Sequence, residues 1–368
     1  MKSAKGKRVI ISGGGTGGHI FPAIAIANAL RRIDPDTEIL FVGAKGRMEM
    51  ERVPAAGYSI IGLDIQGIQR KSVLKNLLFP FRLLGSVMKS LRIIKEFKPD
   101  VAVGVGGYAS GPLLYAASLK KIPCLIQEQN SFAGITNKRL GKKAAKICVA
   151  FDGMEQFFPA DKIIKTGNPV RKDSIAIEGK REQALKEFKL SPDKKTIIAI
   201  GGSLGARTIN ESVLAGLDKI IAEDVQLVWQ TGKLYYGGIK DTIGNTPVNI
   251  QVMEFLNRMD LAYAAADVII SRAGAGTIAE LCIVGKPVIL VPSPNVAEDH
   301  QTKNALSLVK ENACEYIPDV DAMKKLIPAA LELLKDEKRQ KELSANLKKL
   351  ALPGADEVIA QEVFKIAK

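Results

Sequence analysis

Short apolar runs alternate with amphipathic stretches along the whole chain. The runs with the length of buried strands lie at residues 9–11, 39–42, 101–105, 123–126, 196–200, 268–270 and 287–291. Most of them are followed by segments whose apolar side chains recur at helical spacing. This alternation predicts an α/β fold in which helices cover parallel sheets.

Four of the predicted strand-to-helix turns are rich in glycine, two in each half of the chain. They lie at residues 13–18, 104–111, 201–205 and 273–276. Glycine permits positive φ and close approach of a ligand to the backbone, and the helix start that follows each turn suits a phosphate. The pattern therefore predicts two similar sheets that face each other across a cleft, with ligands at the carboxyl ends of the strands.

The first glycine turn alone does not define its ligand. Gly13, Gly15 and Gly18 satisfy a dinucleotide-binding fingerprint, but no acid stands at the end of the second predicted strand to hold a ribose. A nucleoside-triphosphate loop is excluded because no Lys-Ser or Lys-Thr pair follows the glycines. A tight turn that binds nothing remains the structural alternative.

The chain has two histidines, and each lies in a predicted ligand loop of a different half. The helix start at His19 favours a neutral imidazole, which can act as a general base. Glu128, at the end of another predicted strand, is the second candidate base. For Glu128 and Asn130 the alternative interpretation is capping of nearby backbone. His300 is the other histidine, in the loop after the predicted strand 287–291.

Length and composition predict two soluble domains. The chain has 368 residues, of which 46% are hydrophobic and 25% charged. We place the boundary at the turn-like segment 167–171, which gives a first domain of residues 1–168 and a second of 169–353. The segment from about 354 to 368 is predicted to be a helical tail.

No pattern typical of a metal site or a secreted protein is present. The four cysteines have no CxxC pairing, which disfavours zinc and disulfides and favours a reducing cytoplasmic setting. Neither a signal peptide nor a membrane-spanning run is apparent. Asp34-Pro35-Asp36 has the DxD spacing of metal-using transferases, but it precedes a strand, so we interpret it as a turn.

The net charge of +14 resides in the first half of the chain. Residues 1–168 hold 26 Lys and Arg against 12 Asp and Glu, whereas the remainder holds 27 of each. This asymmetry predicts an anionic partner, either a nucleic acid or an anionic membrane surface.

A basic and apolar segment, residues 70–98, contributes much of this charge. It carries eight basic residues and one acid. The spacing from Phe81 onward predicts a helix, with Pro80 separating it from the preceding apolar cluster. We expect Leu77, Leu78 and Phe79, outside that helix, to contact a membrane. Residues 81–97 fit either membrane contact by Phe81 and its neighbours or an ordinary core-packed helix with a basic face.

Together, the motifs resemble those of the MurG family of bacterial peptidoglycan glycosyltransferases. They span both halves of the chain in the order found in that family. The matching segments are GGGTGGHIFPA at 13–23, GVGGYASGP at 104–112, EQNSFAGITNK at 128–138, GNPVR at 167–171, GGSLGA at 201–206, SRAGAGTIAE at 271–280 and EDHQTKNA at 298–305.

The resemblance implies a GT-B fold, in which two Rossmann-like domains face each other across a cleft and the final helix crosses back to the first domain. It also implies a hexosyltransferase that moves N-acetylglucosamine from UDP-GlcNAc to the 4-hydroxyl of the muramyl sugar of lipid I, with inversion, giving lipid II and UDP. Such an enzyme serves peptidoglycan synthesis, and through it cell-wall biogenesis, cell shape and cell division. No cofactor and no metal are implied, and the implied location is the cytoplasmic face of the cell membrane, as a peripheral protein.

The resemblance also assigns substrate contacts. Those to UDP-GlcNAc from the second domain would be Arg171, Ser203, Leu256 (through its backbone), Ala275, Gly276, Thr277, Ile278, Ala279, Glu280 and Gln301. Those from the first domain would be Thr16, Gly17, Gly18 and Asn130. As a hypothesis, the lipid diphosphate lies against Gly14, Gly15, Gly106, Gly107 and Tyr108, and the basic apolar patch docks on the anionic membrane surface.

Other classes of protein remain as alternatives. A UDP-sugar 2-epimerase, or another GT-B enzyme that uses a UDP-sugar, would share the fold and the nucleotide site. A basic nucleic-acid-binding protein would explain the charge, but the recognised binding motifs are absent and aromatic residues make up only 5%. We therefore expect no nucleic-acid partner.

Overall fold

The computed structural model describes residues 6–67, 79–244 and 248–368. The chain divides into two compact units, which are described separately below. Unit 1 comprises residues 1–169 together with 353–368, and unit 2 comprises residues 170–352. The C-terminal segment thus belongs to the same unit as the N-terminal half.

Unit 1 contains a seven-stranded parallel sheet. Its strands are β1 (Arg8–Ser12), β2 (Glu38–Ala44), β3 (Ser59–Leu63), β4 (Val101–Gly104), β5 (Cys124–Glu128), β6 (Lys146–Val149) and β7 (Ile163–Lys165). The spatial order is β3-β2-β1-β4-β5-β6-β7, so the direction of winding reverses between β1 and β4. Such a switch point, at the carboxyl ends of the strands, is where open α/β sheets place their ligands.

Unit 2 contains a six-stranded parallel sheet of the same kind. Its strands are β8 (Thr196–Ile200), β9 (Gln226–Gln230), β10 (Ile250–Met253), β11 (Val268–Ser271), β12 (Val288–Leu290) and β13 (Glu315–Tyr316). The order is β10-β9-β8-β11-β12-β13, and the switch point lies between β8 and β11. The prediction of two similar α/β domains is therefore confirmed.

Helices connect the strands in both units. They are α1 (Gly17–Ile33), α2 (Glu49–Ala55), α3 (Phe79–Phe97), α4 (Ser110–Leu119), α5 (Ile135–Gly141), α6 (Lys172–Ile175), α7 (Arg181–Glu187), α8 (Arg207–Ala215), α9 (Leu217–Ala222), α10 (Tyr236–Ile243), α11 (Met259–Ala265), α12 (Ala275–Val284), α13 (His300–Lys310), α14 (Ala322–Lys335), α15 (Glu337–Lys349) and α16 (Ala355–Ile366). Short 3-10 turns occur at Met154–Gln156, Ala160–Lys162, Ala297–Asp299 and Asp319–Asp321.

Alternating residues of β1 supply both faces of the unit 1 core. Ile10 points into the layer formed with α3 and α4, where it shares a cluster with Leu113. Val9 and Ile11 point to the opposite layer, which contains α1 and Ile359 of α16. Successive side chains of a strand face opposite sides of the sheet, so an uninterrupted apolar run is buried on both sides.

Helix α16 returns the chain to unit 1 and packs against α1. Its buried positions include Ile359 and Val363, which are fully enclosed. Arg32 near the end of α1 forms an ion pair with Asp356 at 2.5 Å. That carboxylate is largely buried, and its bond raises the pKa of the Arg32 guanidinium. The predicted helical tail is thus an integral part of this unit.

Helix α3 differs from the prediction at its start. Its first described residue is Phe79, and Pro80 follows within the same helix, so Pro80 does not separate Phe79 from it. The expectation that Phe79 stands outside the helix was therefore wrong. Leu77 and Leu78 lie outside the described residues.

The N-terminal half of α3 exposes its apolar face. Phe81, Leu84 and Met88 are 73%, 62% and 61% exposed. The buried positions at this end are small and polar, Ser86 and Ser90. Spacing alone left both membrane contact and core packing open for residues 81, 84 and 88. In the structure they form an outward stripe, which we call the α3 stripe.

Candidate active site

The two glycine turns of unit 1 meet at the switch point. A Cβ atom on Gly107 would lie 2.2 Å from the carbonyl oxygen of Gly14, and Gly107 has φ +80°. Only glycine allows this close approach with that backbone conformation. The sequence prediction that the segments after β1 and β4 converge is confirmed within unit 1.

A buried carboxylate, Glu49, anchors the first turn. Its two oxygens accept hydrogen bonds from the backbone N–H groups of Gly15 at 3.1 Å and Ala44 at 3.0 Å. A Cβ atom on Gly14 would lie 2.2 Å from one of those oxygens. Sequence reasoning missed Glu49, because nothing in its neighbourhood shows that α2 turns this side chain inward.

Tyr108 lies over the first glycine turn. Its ring edge is 3.0 Å from the position of a Cβ atom on Gly15, which has φ +87°. Burial raises the pKa of the Tyr108 hydroxyl, while the charge of nearby Arg47 opposes that rise. The pair places an aromatic face and an exposed cation beside Gly15.

His19 lies at the meeting point of three segments. It occupies the first turn of α1, which begins at Gly17 after Thr16. A Cβ atom on Gly106, which has φ +95°, would lie 2.9 Å from the imidazole Nδ1 and Cε1 atoms. The Nδ1 atom is 2.8 Å from Gln129 Oε1. The imidazole is therefore held between the turn after β4 and the end of β5.

Glu128 has a different environment, in which donors already surround both oxygens. Its Oε1 accepts from the backbone and side-chain nitrogens of Asn130 at 3.1 and 3.4 Å. Its Oε2 accepts from the Gly134 N–H at 3.1 Å and from Asn137 Nδ2 at 2.9 Å. The carboxylate is buried and organises the loop from β5 to α5. This arrangement matches the capping alternative considered for Glu128 and Asn130.

The start of α1 presents an uncapped helix terminus. Thr16 has extended φ and ψ and makes no side-chain capping bond. Thr16 and Gly18 are exposed. The first N–H groups of a helix have no intrahelical acceptor and carry the positive end of the dipole, so an anion is favoured there.

In unit 2, the turns after β8 and β11 are neighbours because these strands are paired. A Cβ atom on Gly205 would lie 2.2 Å from the carbonyl oxygen of Thr231, which packs the first turn closely on the loop after β9. Ser203 is exposed at the tip of this turn. Helices α8 and α12 start from the two turns without a side-chain cap, at Ala206 and Gly274.

Glu280 on α12 is held by a buried tyrosine. Tyr263 Oη donates to Glu280 Oε2 at 3.1 Å, and Tyr263 is fully buried. Burial raises the pKa of the Glu280 carboxyl, while the tyrosine bond and the charge of Arg171 oppose that rise. The residues before Glu280, at 275–279, form the first turns of the same helix. Tyr263 was not predicted from the sequence, where it falls in an apolar helical run.

Two further predicted contacts lie elsewhere in unit 2, Gln301 in the first turn of α13 and Leu256 in the loop after β10. Gln301 Oε1 accepts a hydrogen bond from the Ser293 N–H at 2.9 Å. Leu256 is buried, which fits the expectation that only its backbone is offered. His300 is the first residue of α13, adjacent to Gln301.

Other predicted features lie away from these turns. Asp34 and Asp36 form a turn before β2, in which the Asp36 N–H donates to Asp34 Oδ1 at 3.1 Å. In the described part of the chain, no three side chains of the types that bind metals are grouped together. Over the same residues, no helix is long and apolar enough to cross a membrane.

The fold and these sites define a protein with two Rossmann-like domains, each with glycine turns at its switch point. Two models of known families match this chain. The glycosyltransferase family 28 N-terminal domain matches residues 9–149, and the glycosyltransferase family 28 C-terminal domain matches residues 196–359. The chain belongs to glycosyltransferase family 28 and is a glycosyltransferase.

Individual relatives agree with this family. A Phocaeicola vulgatus protein named UDP-N-acetylglucosamine--N-acetylmuramyl-(pentapeptide) pyrophosphoryl-undecaprenol N-acetylglucosamine transferase is 59% identical over 363 residues, which are 98% of this chain and 96% of that protein. The crystal structure of Acinetobacter baumannii MurG has a TM-score of 0.79 and 29% identity, covering 98% of this chain and 99% of that one. The resemblance in sequence motifs and the GT-B fold are thereby confirmed.

The epimerase alternative shares the fold only. The structure of UDP-GlcNAc 2-epimerase from Neisseria meningitidis, bound to UDP-GlcNAc, has a TM-score of 0.66 but 15% identity, covering 98% of this chain and all of that one. At that identity the likeness does not extend to the activity.

Proposed function

We propose that this protein transfers N-acetylglucosamine from UDP-GlcNAc to the muramyl 4-hydroxyl of lipid I, giving lipid II and UDP. The observation that carries the proposal is the similarity to a transferase of that name, at more than half identity over nearly the full length of both chains. The activity belongs to peptidoglycan synthesis. The site residues below are assigned on that basis and on their geometry.

His19 is the proposed general base. Its ring is part-buried beside Gly106, and its Nδ1 atom is occupied by Gln129. Glu128 fits this role less well, because four donors already surround its oxygens. In an inverting reaction the base takes the proton of the acceptor hydroxyl as its oxygen attacks the anomeric carbon. The bond from that carbon to the diphosphate breaks, and UDP departs with the electron pair.

The donor nucleotide is assigned to unit 2. The starts of α8 and α12 lie side by side after paired strands, so their N–H groups suit the diphosphate that gains charge as UDP leaves. Arg171 is exposed, and it lies close enough to Glu280 for its positive charge to oppose the rise in the pKa of that carboxyl. We assign Glu280 to the ribose hydroxyls, Ser203 to a phosphate and the amide nitrogen of Gln301 to the donor.

The acceptor diphosphate is assigned to the glycine turns of unit 1. Tyr108 and Arg47 border Gly15, and the uncapped start of α1 adds backbone donors. These groups would hold an anionic headgroup. The excess of positive charge in the first half of the chain also attracts an anion.

We further propose that the α3 stripe contacts the cytoplasmic face of the cell membrane, so that the protein is peripheral. The stripe exposes large apolar side chains, and Arg92 and Lys95 on the same helix are exposed cations. On α4, which packs against α3, Tyr115 and Leu119 are also exposed. Apolar insertion together with attraction to anionic lipid is the physical basis of such binding.

Sedimentation with vesicles tests the membrane proposal. Vesicles of anionic lipid should bind the protein more strongly than neutral ones, and the double variant Phe81→Ser/Leu84→Ser should lose most of that binding. Val358→Ser on α16 is the matched control, since it removes an exposed apolar side chain elsewhere in unit 1. Equal sedimentation of the double variant and the control would contradict the role of the stripe.

The activity itself is tested by UDP release from UDP-GlcNAc with and without a lipid I analogue. We expect acceptor-dependent turnover and a loss of about 100- to 10,000-fold in His19→Ala, the usual contribution of a general base. The absence of acceptor-dependent turnover would refute the function. A near-normal rate in His19→Ala would refute only the role of His19.

A further inference from the structure

A chain of three buried side-chain amides ends on His19. It runs from Asn168 through Gln127 to Gln129, all of which are nearly or completely inaccessible to solvent. Gln127 lies near the end of β5 and Gln129 directly after that strand, whereas Asn168 comes from the GNPVR motif, 41 residues after Gln127. None of these three residues has a role in the transfer assigned above.

The direction of every amide in this chain is fixed by its neighbours. Asn168 Nδ2 donates to the backbone carbonyl of Gln129 at 2.9 Å, so Asn168 Oδ1 faces the other way. That oxygen accepts from Gln127 Nε2 at 2.9 Å, which turns Gln127 Oε1 toward Gln129. A carbonyl accepts and cannot donate, so each bond determines the next.

The orientation of Gln129 has a second, independent support. Its Nε2 atom donates to the backbone carbonyl of Val105 at 2.8 Å and to that of Gln127 at 3.1 Å, and it also contacts Gln127 Oε1. Rotating the amide by half a turn would set its oxygen against three acceptors. Gln129 Oε1 must therefore be the atom that faces His19.

The imidazole nitrogen opposite this oxygen has to carry a proton. Gln129 Oε1 is 2.8 Å from His19 Nδ1, and an amide oxygen is only an acceptor, so Nδ1 is the donor. In a neutral imidazole the other nitrogen is then unprotonated. Among the described residues, Nε2 of His19 has no recorded partner.

We infer that Gln129 is a positioning residue, and that the buried amides of Asn168, Gln127 and Gln129 fix His19 as its Nδ1–H tautomer, with Nε2 free to accept a proton. That Nε2 accepts the acceptor's proton rests on the proposed function, whereas the tautomer does not. An amide fixes the tautomer without adding a charge, unlike the carboxylate that orients histidine in a catalytic triad. A neutral partner also suits a buried position, where an unpaired carboxylate would be costly.

The tautomer is directly measurable because the chain has only two histidines. Long-range proton–nitrogen correlation spectra of the full protein, labelled with nitrogen-15 at histidine, distinguish protonated from unprotonated ring nitrogens. A His300→Asn sample assigns the two sets of signals. We expect His19 at about pH 8 to show a protonated Nδ1 and an unprotonated Nε2. A wild-type spectrum with the proton on Nε2 would overturn the inference.

Two substitutions of Gln129 separate orientation from simple packing. Gln129→Met keeps the length of the side chain but cannot accept, so His19 should lose its preference for Nδ1–H. Gln129→Glu can accept, so the Nδ1–H tautomer should persist. Gln156→Met is the matched control, because it removes an exposed glutamine of unit 1 and should leave the His19 signals unchanged. Persistence of the Nδ1–H tautomer in Gln129→Met would also overturn the inference.

Turnover then tests the link to the reaction. Gln129→Met should lower kcat at least about tenfold, within the range of a general base, with little change in the KM for UDP-GlcNAc. Gln129→Glu should restore part of kcat, because it keeps an acceptor for Nδ1–H. A kcat in Gln129→Glu no higher than that of Gln129→Met would contradict the coupling. If His19→Ala kept near-normal turnover, the proposed base would fail while the tautomer measurement would still stand.

Discussion

Replacing Glu280 by glutamine is expected to weaken donor binding and at the same time to stabilise the folded protein near neutral pH. Glutamine has nearly the same shape and still accepts the hydrogen bond that Tyr263 Oη donates at 3.1 Å. What changes is the charge of the group and the atom that faces the ligand. The two effects have opposite signs, so one variant tests both.

The loss of donor affinity follows from the hydrogen bonds. Tyr263 occupies Oε2, which leaves Oε1 of Glu280 as the acceptor for a ribose hydroxyl. In the glutamine variant the carbonyl remains with Tyr263, and an amide nitrogen takes the other position. Losing a hydrogen bond to a charged oxygen costs about 1.5–3 kcal/mol, which corresponds to roughly a 10- to 150-fold increase in Kd for UDP-GlcNAc.

The gain in stability follows from the pKa of Glu280, which burial raises above its ordinary value. A carboxyl with a raised folded-state pKa contributes stability that is complete below the unfolded-state pKa and is lost as the pH rises through the folded-state pKa. Near neutral pH the wild type therefore no longer has this stabilising contribution, because its buried Glu280 is charged. The glutamine variant carries no charge at this position, so its free energy of unfolding should be higher than that of the wild type at neutral pH. The difference between the two proteins should shrink toward about pH 4.5.

Calorimetric titration with UDP-GlcNAc and denaturant unfolding at about pH 7.5 and pH 4.5 are the measurements. Glu332→Gln on α14 is the matched control, because it neutralises an exposed carboxylate of the same unit and should change neither quantity. Unchanged affinity in Glu280→Gln would refute the assignment to the ribose. A variant that is less stable than the wild type at neutral pH would refute the argument from burial.

Three other predictions concern packing and chemical reactivity. Gly107→Ala should destabilise the protein by more than about 1 kcal/mol in a denaturant assay and lower turnover, because its Cβ would meet the Gly14 carbonyl. Gly85→Ala, in the open interior of α3, should instead stabilise the protein by up to about 1 kcal/mol in the same assay. Equal effects of the two substitutions would contradict the packing argument. Removing residues 353–368 strips the apolar residues of α16 from α1 and should make unit 1 sensitive to limited proteolysis, while resistance equal to the full chain would count against the integration of this helix. Burial raises the pKa of all four thiols, those of Cys124, Cys148, Cys282 and Cys314, to about 12. None of them should therefore react with a thiol reagent at about pH 8 until denaturant is added. Rapid reaction of any one thiol in the native protein would show that it is accessible.

The sequence by itself determined the class of fold and the places where ligands are expected. Apolar runs of strand length and glycine turns are local signals, because they depend on backbone sterics and on burial of both faces of a strand. They correctly predicted the turns after β1, β4, β8 and β11. The family motifs added the chemistry, and the family is confirmed.

Only the tertiary structure decided which side chains act on one another. The preference for His19 over Glu128 as the proposed base depends on hydrogen bonds of His19 with Gln129 and of Glu128 with Asn137, partners that the fold brings in from other parts of the chain. Glu49 and Tyr263 gave no sequence signal, because burial of a carboxylate or a hydroxyl depends on the helix packed above it. The α3 stripe was ambiguous for the same reason, since helical spacing gives a face but not the side on which the sheet lies.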